Sequence, residues 1–269
     1  MRQASTTLAL VLVIAPGLPC LAQTAASAKA PPPKETTSSV LRAYGPGGPA
    51  PAMREAAKVF GDRNGVQVEI NAGPTPTWKD RSTKDADLIF SGSEYMMTDF
   101  VQKDLPGLID TATIRTLYLR PSAILVRPGN PKGIRGLAQL ATPGVRILVV
   151  QGAGQTGMWE DVAGRSGSVA LVNAVRKNIG AFAANSAEAK KLWSGDPTFD
   201  AWLIWTIWQK ESPASADVVN TEPENTIYRS CGIAITNRSE RKALATRFAD
   251  FLQSAEGRQI FVKWGWMAP

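Results

Sequence analysis

The sequence predicts an α/β protein with two lobes, each a mainly parallel sheet flanked by helices, joined by a hinge of two chain segments. Strand-like and helix-like segments alternate from Val40 onward, and this order is typical of parallel sheets covered by helices. One extended segment, Leu117 to Arg127, is long enough to leave one sheet and enter another. About 230 residues follow the amino-terminal region, which suffices for two lobes of about a hundred residues each.

The first 37 residues are predicted to lie outside the folded lobes. Residues 1–22 have the parts of a secretory signal: Arg2, a short apolar run at residues 8–14 and small residues around Cys20. Residues 23–37 are rich in Ala, Pro, Ser and Thr and indicate a flexible leader. Lipid attachment at Cys20 is the alternative, although the proline before it fits such a site poorly. The chain is therefore expected to be exported.

The first lobe is predicted from residues 38–121. Its helix at Pro51 to Asn64 places Met53, Ala56 and Phe60 on one face and ends at Gly65. The other predicted elements are strands at Val40 to Tyr44, Val66 to Ile70 and Asp87 to Phe90, and a short helix at Thr77 to Lys84.

The second lobe is predicted from residues 122–227, and residues 228–269 return to the first. The predicted strands are Val145 to Val150, Val218 to Val219 and Tyr228 to Thr236, and the helices are Gly157 to Ala163, Leu171 to Asn178, Ser186 to Trp193 and Ser239 to Gln253. The apolar segment Ala201 to Trp208 is left unassigned. Its Trp202, Trp205 and Trp208 are three apart, the spacing of one helix face, which favours packed core or one wall of a pocket.

Three loops rich in Gly, Pro, Ser or Thr each follow an extended run and precede a predicted helix. They span residues 45–51, 91–95 and 151–157. Helix starts leave backbone N–H groups unpaired and carry the positive end of the helix dipole, so such loops can hold anions. The chain contains no histidine and so lacks the commonest general base and zinc ligand. Holding an anion is therefore favoured over transforming one.

The third loop also fits the dinucleotide pattern G-x-G-x-x-G, through Gly152, Gly154 and Gly157. The acidic residue that the pattern needs about 20 positions later is absent, because residues 171–176 have a helical pattern. No cofactor is predicted. A tight turn and an anion-binding helix start remain as alternatives, and in the second Gln155 and Thr156 would add side-chain donors.

Polar side chains in the second loop and at the predicted hinge have both structural and ligand-binding interpretations. Ser91 and Ser93 suit helix caps or ligand contacts. Glu94 suits a helix start on dipole grounds, or a ligand hydroxyl if it faces the cleft. Arg120 is either a surface residue or a clamp for a carboxylate or phosphate, which guanidinium binds as a fork.

Composition disfavours several other functions. Asp85, Asp87, Glu160 and Asp161 have no neighbouring His or Cys that would complete a metal site, so no metal is predicted. The remaining cysteine after export, Cys231, suits a small buried apolar residue. The net charge is +7 but its basic residues are scattered, which disfavours nucleic acid and favours an acidic solute.

Several motifs resemble those of a known family. Residues 251–261 (Phe-Leu-Gln-Ser-Ala-Glu-Gly-Arg-Gln-Ile-Phe) resemble the closing helices of type II periplasmic solute-binding proteins. Residues 44–52, 73–78, 91–99, 119–131 and 152–161 together resemble the accessory colonization factor AcfC family, and the likeness covers essentially all of the mature domain. The resemblance implies a type II periplasmic-binding-protein fold and a receptor for small anions, related to the molybdate- and sulfate-binding proteins.

The resemblance also implies where the ligand binds. In the molybdate binders, hydroxyl-bearing loops after the first strands and a tyrosine surround the oxyanion. Here Gly47, Gly48 and Thr75 fall at the first two loops and Ser91 at the third, while Trp205 stands at the tyrosine position. Because this departure loses a donor, a larger anion that also carries hydroxyls is favoured over a bare oxyanion.

The prediction is a periplasmic, non-enzymatic binding protein that captures a small anion, such as a phosphorylated or carboxylated metabolite, for an ABC transporter permease. A surface adhesin or sensory accessory protein is the alternative, followed by a phosphoester hydrolase using Glu94 or Asp161. Pairing of two copies into a homodimer is also considered. The candidate ligand-binding residues are Gly47, Gly48, Thr75, Ser91, Ser93, Glu94, Tyr95, Arg120, Ser122, Gly154, Gln155, Thr156, Gly157, Trp205 and Tyr228.

Overall fold

Strands and helices alternate along the chain in a computed structural model that describes residues 40–152 and 154–269. The predicted signal (1–22) and leader (23–37) lie outside these described residues. The strands are β1 (Val40–Gly45), β2 (Gln67–Ala72), β3 (Leu88–Phe90), β4 (Arg115–Val126), β5 (Ile147–Val150), β6 (Ile179–Ala183), β7 (Ala201–Trp205), β8 (Asp217–Asn220) and β9 (Tyr228–Ile235). The helices are α1 (Ala50–Asn64), α2 (Lys79–Asp85), α3 (Glu94–Asp99), α4 (Leu137–Leu140), α5 (Met158–Gly164), α6 (Val169–Asn178), α7 (Ser186–Gly195), α8 (Ile207–Glu211), α9 (Lys242–Gln253) and α10 (Ala255–Lys263).

The first sheet has the strand order β2-β1-β3-β9-β4. Strand β1 pairs in parallel with β2 and β3, as the strand-helix-strand order predicts. Strand β9 enters between β3 and β4 and is antiparallel to both. The first sheet is therefore completed by the carboxy-terminal part of the chain.

Strand β4 belongs to two sheets. Its first part, from Arg115 to Pro121, pairs with β9, and its second part, from Ser122 to Val126, pairs with β7 and β8. The second sheet continues from β7 through parallel pairs to β5 and β6. The predicted long strand that passes from one sheet to another is confirmed. Both sheets are mixed, because β9 is antiparallel to its neighbours in the first sheet and β4 is antiparallel to β7 and β8 in the second.

Helices cover the sheets through the faces that periodicity predicted. Met53, Ala56 and Phe60 of α1 are buried, and Gly65 ends the helix in a left-handed conformation with φ 63°. Helices α9 and α10 pack beside α1, where the rings of Phe60 and Phe248 lie 5.2 Å apart. Burial of such apolar faces is the main stabilising contribution to the fold. Among the described helices, none combines the length and hydropathy that crossing a membrane requires.

The structure adds one strand that was not predicted and defines one segment that was left unassigned. Strand β6, at the edge of the second sheet, was not predicted, because three of its five residues are Gly or Ala, which are uncommon in strands. The segment Ala201 to Trp208 is not one helix but strand β7 followed by α8. In a strand, residues three apart point to opposite faces, so Trp202 packs on Trp193 while Trp205 contacts Arg120 on the other side. The three tryptophans therefore do not share one helix face, although Trp202 and Trp205 are both buried, as the packed-core interpretation expects.

Candidate ligand-binding cleft

A cleft of about 220 Å³ lies where the two sheets meet, and each of the three predicted loops reaches it. The loop after β1 contributes Pro46, Gly47 and Gly48, the loop after β3 contributes Gly92, and the loop after β5 contributes Gln155. Its volume is below the range of about 300–1,000 Å³ typical of drug-sized ligands, which suits a small metabolite. The other lining residues are Ala50, Arg54, Ala72, Gly73, Pro74, Met96, Arg120, Asn185, Ser186, Ala187, Lys190, Trp208 and Glu211.

Arg120 is a buried cation inside this cleft. It is 3% exposed and lies on β4 next to the point where the strand changes sheets. Its guanidinium stacks on the ring of Trp205 at 4.4 Å and lies 5.7 Å from that of Trp266. Among the described residues its Nε has no hydrogen-bond partner, and no carboxylate there forms an ion pair with it. Buried charges are normally paired, so an unpaired one lining a cleft is suited to bind an external anion.

The pKa of Arg120 also indicates that this side chain is suited to bind an anion. Burial lowers the pKa of Arg120 to about 9, because a charged guanidinium loses its hydration there. The side chain therefore stays protonated at neutral pH but in an unfavourable environment. A bound anion would stabilise the charged form and accept hydrogen bonds from the guanidinium.

Two glycines make room for the guanidinium. A Cβ at Gly48 would lie 3.1 Å from Nη1 of Arg120, and a Cβ at Gly92 would lie 3.4 Å from Nη2. The distance at Gly48 is shorter than ordinary packing allows, and the distance at Gly92 is at the lower limit of ordinary contact. Each backbone therefore approaches the cation closely because it carries no side chain. The glycines of the first two loops thus leave space for the guanidinium of Arg120 in the cleft.

A chain of hydrogen bonds connects Trp205 to the first turn of α7. The indole N–H of Trp205, on which Arg120 stacks, donates to Oε1 of Gln155 at 3.1 Å. The amide nitrogen of Gln155 donates to Oγ of Ser186 at 2.8 Å. Asn185 caps α7 by accepting from the N–H groups of Ala187 and Glu188. These hydrogen bonds hold Trp205 and the cleft-lining residue Gln155 in place without a ligand.

Three more charged side chains line the cleft. Nζ of Lys190 lies 2.5 Å from Oε2 of Glu211 and 4.4 Å from the ring centre of Trp208. Arg54 is exposed on α1 and has no ion pair with a described carboxylate. With Arg120, the cleft holds three cations and one carboxylate. The resulting positive potential attracts anions.

Three predicted hydroxyls bond the backbone instead of lining the cleft. Oγ of Ser91 accepts from the N–H of Gly232, which joins β3 to β9. Oγ of Ser93 caps α3 by accepting from the N–H of Met96. Oγ of Ser122 accepts from the N–H of Ile227 at 2.9 Å, beside the point where β4 changes sheets.

The other candidates outside the cleft lining are placed around it. Oε2 of Glu94 accepts from the N–H of Ser230 at 2.9 Å, so its carboxylate binds the backbone of β9. Gly154 approaches the cleft side of α3, where its Cβ would lie 2.8 Å from Oγ of Ser93. Thr75, Tyr95, Thr156, Gly157 and Tyr228 also lie outside the lining set.

Sequence reasoning missed the contributions of Arg54, Lys190 and α7. A usable signal existed for α7, because Asn185 followed three residues later by Glu188 has the pattern of a helix cap. Nothing local distinguishes Arg54 or Lys190 from other surface cations. Within residues 40–152 and 154–269, no group of three His, Cys, Asp or Glu side chains is arranged to hold a metal ion.

The fold and the cleft together define a two-lobed solute-binding protein of the type II periplasmic class. The chain belongs to the bacterial extracellular solute-binding proteins, whose sequence model matches residues 41–267. No curated protein shows significant similarity to this sequence.

Solved structures show the same relationship. PEB3 from Campylobacter jejuni is 34% identical to this chain and superposes with a TM-score of 0.78. The match covers 85% of this chain and 100% of PEB3. PEB3 with L-phospholactate bound is 35% identical, with a TM-score of 0.79 and the same coverage. The molybdate-binding protein of Azotobacter vinelandii shares the fold at 16% identity, with a TM-score of 0.66, 85% of this chain and 99% of that chain covered.

Proposed function

We propose that this protein is a periplasmic receptor that captures a small anion between its two lobes. The observation that carries the proposal is the buried Arg120, which lines the cleft without a carboxylate partner among the described residues. A cation in this state is stabilised by an external anion with oxygen acceptors. We place the boundaries of the lobes where β4 changes sheets: residues 38–121 with 228–269, and residues 122–227.

The preferred ligand is a small organic anion with more than one polar group. Arg120 would hold one anionic group at depth, while Arg54 and Lys190 at the cleft wall suit a second. The relative crystallised with L-phospholactate supports this class, since that molecule combines a phosphate and a carboxylate. The motifs shared with the AcfC family point to the same kind of solute. Oε1 of Glu211, the oxygen that is not paired with Lys190, can accept from a ligand hydroxyl.

Delivery to an ABC transporter permease, without chemical change of the anion, is the proposed role. The family supports transport over catalysis, and the chain has no histidine to act as a general base. Closure of the lobes around the anion would present a changed surface to the permease. Pairing of two copies remains a separate proposal, which size-exclusion chromatography with light scattering tests.

Isothermal calorimetry with L-phospholactate, sulfate and molybdate tests the proposed function. We expect L-phospholactate to bind most tightly, and Arg120→Met to weaken its binding about 100-fold or more, as expected for loss of a buried charged partner. Arg165→Met is the matched control, since Arg165 is exposed, lies outside the cleft and carries the same charge. An equal loss in both variants, or no binding of any anion by the wild type, would contradict the proposal.

A further inference from the structure

Arg229 occupies a distinctive place beside the cleft. It is the direct partner of Arg120 in the antiparallel pairing of β9 with β4, so the two side chains project from the same face of the sheet. Unlike Arg120, it has two carboxylate partners: its Nη2 lies 3.1 Å from Oδ2 of Asp161, and its Nε lies 3.6 Å from Oε1 of Glu94. Arg229 itself is outside the cleft lining.

The two carboxylates come from opposite sides of the cleft. Glu94 begins α3, which follows β3 of the first sheet, and Asp161 lies in α5, which follows β5 of the second sheet. Glu94 is fixed further, because its Oε2 also accepts from the N–H and the Oγ of Ser230. Arg229 therefore connects a helix of the first sheet with a helix of the second.

We propose that Arg229 is a positioning residue that clasps α3 to α5, so that its ion pair with Asp161 keeps the cleft closed and raises ligand affinity without touching the ligand. The inference rests on the proposed function. The loops before these helices supply Gly92 and Gln155 to the cleft, so separating α3 from α5 would widen it. The close approach of Gly154 to Ser93 shows that the two helix starts are already adjacent.

The clasp and simple long-range electrostatics predict opposite effects for Asp161→Asn. Removing a negative charge near a positive cleft would tighten the binding of an anion if only the field mattered. Loss of the clasp would weaken binding, because part of the binding energy must then close the cleft. The sign of the change in affinity therefore separates the two explanations.

Calorimetry with L-phospholactate on Asp161→Asn is the test. We expect affinity to fall about two- to fivefold, the usual effect of a partly exposed ion pair. Asp161→Glu should restore wild-type affinity, because the carboxylate is retained. Asp62→Asn is the matched control: it removes the same charge from an exposed pair with Lys58 inside α1, outside the cleft.

Amide hydrogen exchange of the unliganded proteins gives a second, ligand-independent measurement. Asp161→Asn should speed exchange at residues 93–97 and 154–161 several-fold relative to wild type and Asp62→Asn. Unchanged or tighter L-phospholactate binding, or unchanged exchange, overturns the proposal. If the wild type binds no anion, the proposed function fails, and hydrogen exchange alone then decides whether the clasp exists.

Discussion

At the scale of single residues, the burial of Arg120 is expected to lower the stability of the ligand-free protein while favouring the binding of an anion. Arg120 is buried with its charge, and its guanidinium faces the rings of Trp205 and Trp266 without an ion pair to a described carboxylate. A cation over an indole regains about 0.5–2 kcal/mol, less than the several kcal/mol that removing an ion from water costs. Arg120 is therefore expected to destabilise the ligand-free protein.

Arg120→Met should raise the free energy of unfolding of the ligand-free protein by about 1 kcal/mol, because an apolar side chain of similar length removes the desolvation cost. Urea unfolding of wild type, Arg120→Met and the surface variant Arg165→Met provides the measurement. A ligand-free Arg120→Met less stable than wild type would show that the stacking on Trp205 outweighs the cost of burial.

Gly48→Ala should weaken L-phospholactate binding about tenfold, because the added methyl group would lie 3.1 Å from Nη1 of Arg120 and 3.2 Å from Cδ1 of Ile207. Calorimetry measures the change. Gly195→Ala is the control, since a Cβ there at the end of α7 meets no atom within 4 Å and the site lies outside the cleft. Equal affinity in both variants would mean that the guanidinium moves aside freely.

At the scale of secondary-structure elements, α7 couples local helix stability to the cleft. Its cap residue Asn185 and the next two residues line the cleft, so loosening the first turn should affect the ligand as well as the helix. This arrangement allows the cap to be tested through two separate observables.

Asn185→Ala should cost about 1 kcal/mol of stability, the usual value of a helix cap, and should also weaken binding of L-phospholactate. Ser168→Ala removes the cap of α6, where Oγ of Ser168 accepts from the N–H of Leu171, outside the cleft. We expect it to lower the thermal midpoint similarly while leaving affinity intact. A parallel loss of affinity in both variants would assign the effect to general destabilisation.

The elements also show which features the sequence can predict. The loops after β1, β3 and β5 were predictable, because a strand, a Gly-rich turn and a helix start are neighbours in the chain. The role of each hydroxyl was not, because Ser91 bonds Gly232 and Ser122 bonds Ile227, each more than a hundred residues away. The segment that contains Trp205 could not be assigned, because an apolar run of eight residues fits either a strand or a helix.

At the scale of the whole molecule, buried ionisable groups set the response to alkaline pH. Burial raises the pKa of Tyr118 and of Cys231 to about 12 each, and burial with the hydrogen bond to Asp85 raises that of Tyr44 to about 12. The folded state thus holds these protons more tightly than the unfolded state. The stability linked to them is complete below about pH 9 and is lost as pH rises toward 12.

The urea midpoint should therefore fall between pH 9 and about pH 11.5, and Tyr118→Phe should make that fall shallower. Arg120 acts in the opposite direction, because its pKa is lowered to about 9 and the unfolded state then binds the additional proton. Arg120→Met should accordingly steepen the fall. Identical slopes in wild type and Tyr118→Phe would show that the phenol of Tyr118 ionises equally in both states.

The insertion of β9 between β3 and β4 has a consequence for biosynthesis. Until residue 235 leaves the ribosome, β3 and β4 have no strand to join them, and neither can complete the first sheet. Contacts between such distant parts of a chain form slowly. A nascent polypeptide with this strand order can complete the first sheet only after β9 has been synthesised, so we expect this sheet to close late and not progressively as β1 to β4 emerge.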